Sequence, residues 1–358
     1  MSDEFGKILV VQQKMIGDVL TSTILLEALR KKYPKSELHY LVNSHTVPVV
    51  ENNPFIDKLV LFTPEMEKSK FVFYRFLKQI REKKYDVVID VYGKLSSVLI
   101  TWFSKAKKRI SYHKKHTAFV YTDTLKRLKE PVRKAGLAIE NRMRLLEPLE
   151  IDFSYFAPKI YLSSEETQAS GQFLEASGLN LERPVFMIAV LGSGPQKTYP
   201  SEYMAQLIDQ IAEIKPQAQL LFNYIPSQKE EAQFIFEHCK KVTQEKIHFA
   251  VFADSLRKFM ALTHHCDALI GNEGGAVNMA KALDVSTFMI FCPFISKQNW
   301  FGELEKPKNQ AVHLSDFIAM TENDRNRAKK NPTPFYLRLK PELIYPKLKL
   351  FLNNLDFS

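Results

Sequence analysis

The sequence predicts an α/β protein made of two doubly wound halves, and three observations carry that prediction. Short, almost wholly apolar runs such as Lys7-Ile-Leu-Val-Val-Gln12 alternate with segments whose apolar residues recur at helical spacing. A strand buried on both faces of a parallel sheet reads as such a continuous run. The alternation breaks over residues 151–182 and then restarts, and a chain of 358 residues is long for one domain and comfortable for two.

In order, Lys7–Gln12 is the first strand. The helix after it places Leu20, Ile24, Leu25, Ala28 and Leu29 on one face and ends near Tyr33-Pro34. Strands follow at Glu37–Val42 and Lys58–Phe62, then a helix through Phe76 and Ile80, then a strand at Asp86–Val91. This rhythm implies a mostly parallel sheet with right-handed crossovers. Ile151–Leu162 has no helical period and contains Pro158. Domains are therefore expected at 1–165 and 166–340. The second strand series reads Pro184–Leu191, Ala218–Asn223, Ile247–Phe252, Asp267–Gly271 and Ser286–Phe291. The last segment, 341–358, is amphipathic and is expected to form a helix packing back across a domain. In such folds ligands bind at the carboxyl ends of the strands, which predicts a site in a cleft between the halves.

Composition narrows the function. Hydrophobic residues make up 45% and charged residues 25% of the chain, ordinary globular values. Cys239, Cys266 and Cys292 are scattered and lack metal-ligand spacing, which argues against a disulfide framework or a zinc site. The start, Met1 to Lys7, is polar, reads as no signal peptide and leads straight into a strand; no apolar run approaches the ~20 residues of a membrane span. Net charge is +10 and is concentrated in Lys105-Ala-Lys-Lys-Arg109, His113-Lys-Lys-His116, Lys126-Arg127, Lys129, Arg133 and Lys134. Such density suits an anionic partner or a solvated basic face. Nucleic acid is disfavoured, because no helix-turn-helix, zinc-finger or RNA-recognition signature accompanies the charge.

Three loops at strand ends stand out. In Asp267-Ala-Leu-Ile-Gly-Asn-Glu-Gly-Gly-Ala-Val-Asn278 a strand passes through two glycines into a helix. Gly274 and Gly275 let the backbone approach a ligand, and the helix N-terminus behind them suits a phosphate. A plain packing turn would read the same way. In Met15-Ile-Gly-Asp-Val-Leu20, Gly17 allows a tight turn and Asp18 sits where a helix begins. There it is either a helix N-cap or a carboxylate facing the cleft, and the two roles are compatible. In Leu191-Gly-Ser-Gly-Pro-Gln-Lys197, Gly192 and Gly194 give freedom and Lys197 supplies a movable cation.

Taken together, these loops resemble glycosyltransferase family 9, the lipopolysaccharide heptosyltransferase family. The resemblance runs through Lys7-Ile-Leu-Val-Val, Ile16-Gly-Asp-Val-Leu20, Asp86-Val-Val-Ile-Asp90, Gly93-Lys-Leu-Ser-Ser97, Ala106-Lys-Lys-Arg-Ile110, Lys197-Thr-Tyr-Pro200 and Gly271-Asn-Glu-Gly-Gly to Leu283. It implies a GT-B fold, two Rossmann-like domains facing across a cleft, the first for acceptor and the second for nucleotide sugar. It implies inverting transfer of a sugar, often heptose from an ADP-activated donor, onto a lipopolysaccharide core. Asp18 matches the family's catalytic base, and Lys197 the lysine that offsets charge on the leaving diphosphate. Glu273, Gly274 and Gly275 match the turn that cradles the pyrophosphate, with Gly17, Ser193, Gly194, Asn272 and Asn278 completing the donor side. Lys94, Lys107, Lys108, Arg109 and Lys114 are the candidates for holding an anionic, lipid-linked acceptor. Docking on the cytoplasmic face of the inner membrane goes with that reading, and neither a cofactor nor a metal is expected. Trp102 and Phe103, at helical spacing beside Leu99, read as core.

The chain departs from the family pattern on the donor side. Glu273 stands for its Asp, Gly274 for its Ser or Thr, Asn278 for its His and Tyr199 for its Trp. A catalytically reduced member that binds nucleotide sugar or anionic glycan without turnover is the alternative. A dinucleotide-dependent oxidoreductase is the third reading, and it lacks the Gly-x-Gly-x-x-Gly expected after the first strand.

Overall fold

The computed structural model describes residues 5–306 and 308–355. The first four residues of the polar start and the last three of the C-terminal segment lie outside them. The chain divides into two compact units, Met1–Tyr161 and Leu162–Ser358, where the sequence puts the boundary after residue 165.

The first unit runs β1 (Lys7–Val11), α1 (Ile16–Lys32), β2 (Glu37–Asn43), β3 (Lys58–Phe62), α2 (Pro64–Lys68), α3 (Lys70–Glu82) and β4 (Val87–Asp90). It continues with α4 (Leu95–Ser104), β5 (Lys108–Tyr112), β6 (Asp123–Leu125) and α5 (Leu137–Arg144). All six strands are parallel, in the order β3-β2-β1-β4-β5-β6. Leu9 and Val11 of β1 pack with Val88 of β4 against Phe76, Leu77 and Ile80 of α3 and Ile100 of α4. The Asp86 carboxylate accepts the backbone N–H groups of Gly6 and Lys7 at 2.9 and 3.0 Å, which pins the starts of β1 and β4 together. Strand order reverses between β1 and β4, so the turns into α1 and α4 open at a switch point.

The second unit runs α6 (Ser164–Ala176), β7 (Val185–Ala189), α7 (Ser201–Ile214), β8 (Gln219–Phe222), α8 (Lys229–His238), α9 (Lys241–Gln244) and α10 (Leu256–His264). Then come β9 (Ala268–Asn272), α11 (Gly275–Ala282), β10 (Ser286–Ile290), β11 (Asn309–Val312), α12 (Glu322–Lys330), α13 (Thr333–Tyr336) and α14 (Pro341–Asn353). Its sheet is parallel in the order β11-β10-β9-β7-β8, with the switch point between β7 and β9. Asp267 repeats the device of Asp86, accepting from Val185 N–H at 2.8 Å. The C-terminal helix α14 packs within this unit, where the Phe351 and Phe288 rings lie 5.5 Å apart. No helix among the described residues is long and apolar enough to cross a membrane.

One predicted strand is absent. Ile247–Phe252 makes a single bridge, with Leu220 donating to Lys246 and His248 donating to Leu220. Val251 N–H then bonds back to the His248 carbonyl, turning the chain away. The apolar side chains that suggested a strand are spent on ring packing: Tyr224 stacks on Phe249 at 5.2 Å and on Phe252 at 5.9 Å. The three cysteines are buried and free, and burial pushes the Cys239 and Cys292 thiols up to about 12.

Two expected results follow from packing. At Gly271 φ is +136°, and a Cβ would lie 2.4 Å from the Ala189 carbonyl oxygen of the neighbouring strand. Gly271→Ala should cost about 3 kcal/mol in urea unfolding, the upper end of overpacking penalties. In the second case, Glu166 closes a capping box with Ser163 and accepts from Arg257 Nε at 2.6 Å. The Arg257 hydrogen bond is the main reason its carboxyl lies below the usual range. That contribution is present above the unfolded carboxylate pKa and is lost as pH falls through the lowered value. Arg257→Met should cost about 1–2 kcal/mol at pH 7, and the difference from the parent should shrink through the acid limb of urea titrations.

Candidate active site

In the first unit the site grows from the head of α1. Asp18 does not cap that helix: the cap position is Met15, whose side chain bonds to nothing there, and Asp18 stands within the first turn. Gly17 likewise belongs to the first turn of α1 rather than to a tight loop. Asp18 Oδ1 instead accepts from Arg142 Nη2 at 2.7 Å. The buried Arg142, on α5, also donates to Ser22 Oγ at 2.8 Å and to the Ala138 carbonyl at 2.8 Å, so its guanidinium is a fixed clamp. Among the described residues Asp18 Oδ2 has no hydrogen-bond partner.

Asp18 opens on a pocket of about 350 Å³ lined also by Lys94, Tyr92, Tyr112, Arg127 and Arg142. Positive charge dominates it. The Arg127 guanidinium lies 3.6 Å from the Tyr112 ring centre, which holds the cation flat against the wall. Lys14, at the rim, is paired with Glu67 at 2.5 Å. Lys94 precedes α4, and the turn before it is built from below. Gly93 adopts φ +59° and donates to the buried Asp90 carboxylate at 2.8 Å, which also accepts from Tyr121 OH at 2.7 Å. Burial pushes the Asp90 carboxyl up. Lys114 Nζ donates to the Gly93 carbonyl, and burial followed by the Lys94 charge holds its ammonium below the usual range.

The predicted acceptor residues therefore separate. Lys94 lines the pocket and Lys114 buttresses the turn beneath it. Lys107, Lys108 and Arg109 enter β5 at its amino end, the edge opposite Asp18. Lys108 donates to the Pro148 carbonyl at 2.8 Å, and Arg109 to the Val120 and Ala106 carbonyls at 2.7 and 2.6 Å. Both are committed to holding the fold, because a long cationic side chain reaches backbone acceptors that no strand pairs. Arg142 escaped the sequence reading altogether, since it lies 124 residues from Asp18 with no local motif around it.

In the second unit two loops meet at the switch point. After β7, the loop folds tightly on itself: a Cβ on Gly192 would lie 2.2 Å from the Lys197 carbonyl oxygen. Thr198 Oγ1 bonds to the Gly194 carbonyl at 3.0 Å and accepts from Gly192 N–H at 3.1 Å. Ser193 is exposed at its tip. After β9, Glu273 and Gly274 lead into α11, whose N-terminus has no side-chain cap. A Cβ on Gly274 or Gly275 would meet nothing within 4 Å, so open space stands before the helix N–H groups. Lys197 Nζ approaches Glu273 Oε1 at 3.4 Å, an ion-pair contact without hydrogen-bond geometry. Asn278 is half-buried in the first turn of α11.

Asn272 has a different place from the one expected. It is buried, its Oδ1 accepts Tyr199 N–H at 2.7 Å, and its Nδ2 donates to the Ala189 and Val190 carbonyls at 3.0 and 2.9 Å. It joins the two loops from behind. Tyr199 is wholly buried and donates through its hydroxyl to the Leu339 carbonyl at 2.6 Å. Among the described residues no group of three or more His, Cys, Asp or Glu side chains is placed to hold a metal ion.

The profile of glycosyltransferase family 9 (heptosyltransferase) matches residues 73–319, more than half of the chain. Lipopolysaccharide heptosyltransferase 1 of Campylobacter coli is 24% identical over 306 residues, 82% of this chain and 86% of the relative. Among solved structures, the family 9 glycosyl transferase of Veillonella parvula superposes with a TM-score of 0.81 at 19% identity, covering 97% of both chains. Escherichia coli ADP-heptose lipopolysaccharide heptosyltransferase II gives a TM-score of 0.71 at 17% identity, covering 97% of this chain and 98% of that one. The structural likenesses speak for the fold, two parallel-sheet α/β domains of GT-B type, and the profile speaks for the family: the chain belongs to glycosyltransferase family 9, the heptosyltransferases.

Proposed function

We propose that this glycosyltransferase moves a sugar, a heptose from an ADP-heptose-like donor, onto a hydroxyl of an anionic lipopolysaccharide core or related envelope glycan in one inverting displacement. The observation that carries the reading is the Asp18 carboxylate, clamped through one oxygen by buried Arg142 and free at the other, on a basic pocket at the sheet's switch point. That free oxygen takes the acceptor proton as the acceptor oxygen bonds the anomeric carbon. The bond from that carbon to the donor phosphate breaks, and its electron pair leaves on the diphosphate. Lys197, the Gly274-Gly275 turn and the N–H groups heading α11 receive that charge. Lys94 and Arg127 hold acceptor anions. The donor's identity rests on the relative named for ADP-heptose.

The test is a donor series of ADP-, GDP-, UDP-, CMP- and dTDP-sugars, read by thermal shift and by mass spectrometry of product. Stabilisation by an ADP-sugar with transfer to a core acceptor is the expected result. Binding without turnover for every donor–acceptor pair would establish the catalytically reduced alternative, and stabilisation by a different nucleotide would overturn the ADP assignment.

A further inference from the structure

Behind the Glu273-Gly274 turn, buried polar groups gather without all of them finding partners. Tyr336, the last residue of α13, is 2% exposed, and its hydroxyl has no hydrogen-bond partner among the described residues. Its ring lies 6.0 Å from that of Tyr199, whose N–H is held by Asn272, the residue before Glu273. Tyr199 has spent its own hydroxyl on the Leu339 carbonyl. Glu273 is 7% exposed, and its N–H donates to the Ile290 carbonyl at 3.1 Å, beside Cys292 at the end of β10. Its Oε1 has the Lys197 ammonium at 3.4 Å but no hydrogen bond. Burial, then the Cys292 and Glu273 charges, push the Tyr336 phenol up, so it remains a neutral donor. One nest thus holds a buried donor and a buried acceptor, neither of them hydrogen-bonded. Folded chains rarely leave such groups unpaired, because desolvating them goes uncompensated.

We propose that Tyr336 is a positioning residue that acts through Glu273, taking over the Glu273 carboxylate when a diphosphate draws Lys197 away. The inference rests on the donor reading above and adds to it a second partner for Glu273. With the seat empty, Lys197 is parked on Glu273. A diphosphate in the open space before α11 attracts the ammonium more strongly than one carboxylate does, and the lysine swings across on its flexible stem. Glu273, left without its cation, turns its free oxygen to the Tyr336 hydroxyl. One charge-assisted hydrogen bond then satisfies both groups. A neutral hydroxyl replaces a cation only in part, so removing Lys197 still destabilises the chain. When the diphosphate leaves, the exchange runs back.

The test is a double-mutant cycle on the ligand-free full chain, followed by calorimetric titration with ADP, which carries the diphosphate. In the parent, Tyr336→Phe should leave the melting temperature unchanged or raise it, because it removes a buried donor that nothing pairs. In the Lys197→Ala background Glu273 has already lost its cation. There the same change should lower the melting temperature by about 3 °C, the scale of one hydrogen bond. ADP binding should weaken about ten-fold in Tyr336→Phe, since the bond is lost in the bound state and the unpaired group is relieved in the free one. Equal destabilisation by Tyr336→Phe in both backgrounds would give the hydroxyl a fixed structural partner and overturn the proposal. Unchanged ADP affinity in Tyr336→Phe would overturn it too. A parent chain that failed to bind ADP would sink the donor assignment, while the ligand-free cycle by itself upholds or overturns the exchange between Lys197 and Tyr336.

Discussion

Asp18→Asn is expected to lower turnover about 10³-fold, within the range for loss of a general base, while stabilisation by the nucleotide sugar stays unchanged. Asn is the informative substitution because its side-chain oxygen still accepts from Arg142. Asp18→Ala should lose turnover equally, and it should also lose more stability, since it leaves a buried guanidinium without the hydrogen-bond acceptor that Asn retains. Unfolding and steady-state kinetics on both variants separate the two effects. If Asp18→Asn kept full turnover, the carboxylate would serve only to hold Arg142 and the base would have to be sought elsewhere.

Lys197→Ala is expected to cut turnover about 10²-fold, the scale for removing one stabiliser of developing charge, and to weaken nucleotide-sugar binding as well. The same change strands the buried Glu273 carboxylate, whose only ion-pair partner among the described residues is Lys197 at 3.4 Å. Stability should therefore fall too. Adding Glu273→Gln to Lys197→Ala should restore the melting temperature without restoring turnover. Recovery of turnover in that double variant would assign Lys197 a purely structural task and remove it from the leaving-group chemistry.

Much of this was legible in the residues. Continuous apolar runs such as Ile8–Val11 announce parallel strands because each is covered on both faces. Glu-Gly-Gly after β9 marks a strand end, because a backbone that must leave open space before a helix uses glycine. The misreadings have physical causes. Ile247–Phe252 has strand-like apolarity, but aromatic stacking with Tyr224 consumes it. Lys108 and Arg109 look like ligand residues in a charge count, yet β5 carries them to the far edge of the sheet. Trp102 has core-like spacing on α4 but is about half exposed, Phe103 beside it being the ring packed inward; only the packing of α3 decides which side of that helix is covered. Arg142 is a tertiary contact, and no spacing rule reaches across 124 residues.

The Asn272 amide ties the end of β9 to the end of β7 and to Tyr199, two residues beyond Lys197. The lysine loop and the glycine turn consequently share a hinge-free base and cannot drift apart independently. Under the proposed transfer, a donor would meet a seat whose conformational freedom was surrendered when the chain folded, so little ordering entropy would be left to oppose binding. The same economy restricts divergence: a relative that alters either loop must do so around a fixed amide, so new donor preferences in this framework should arise from exposed tips such as Ser193 before they arise from the loop bases.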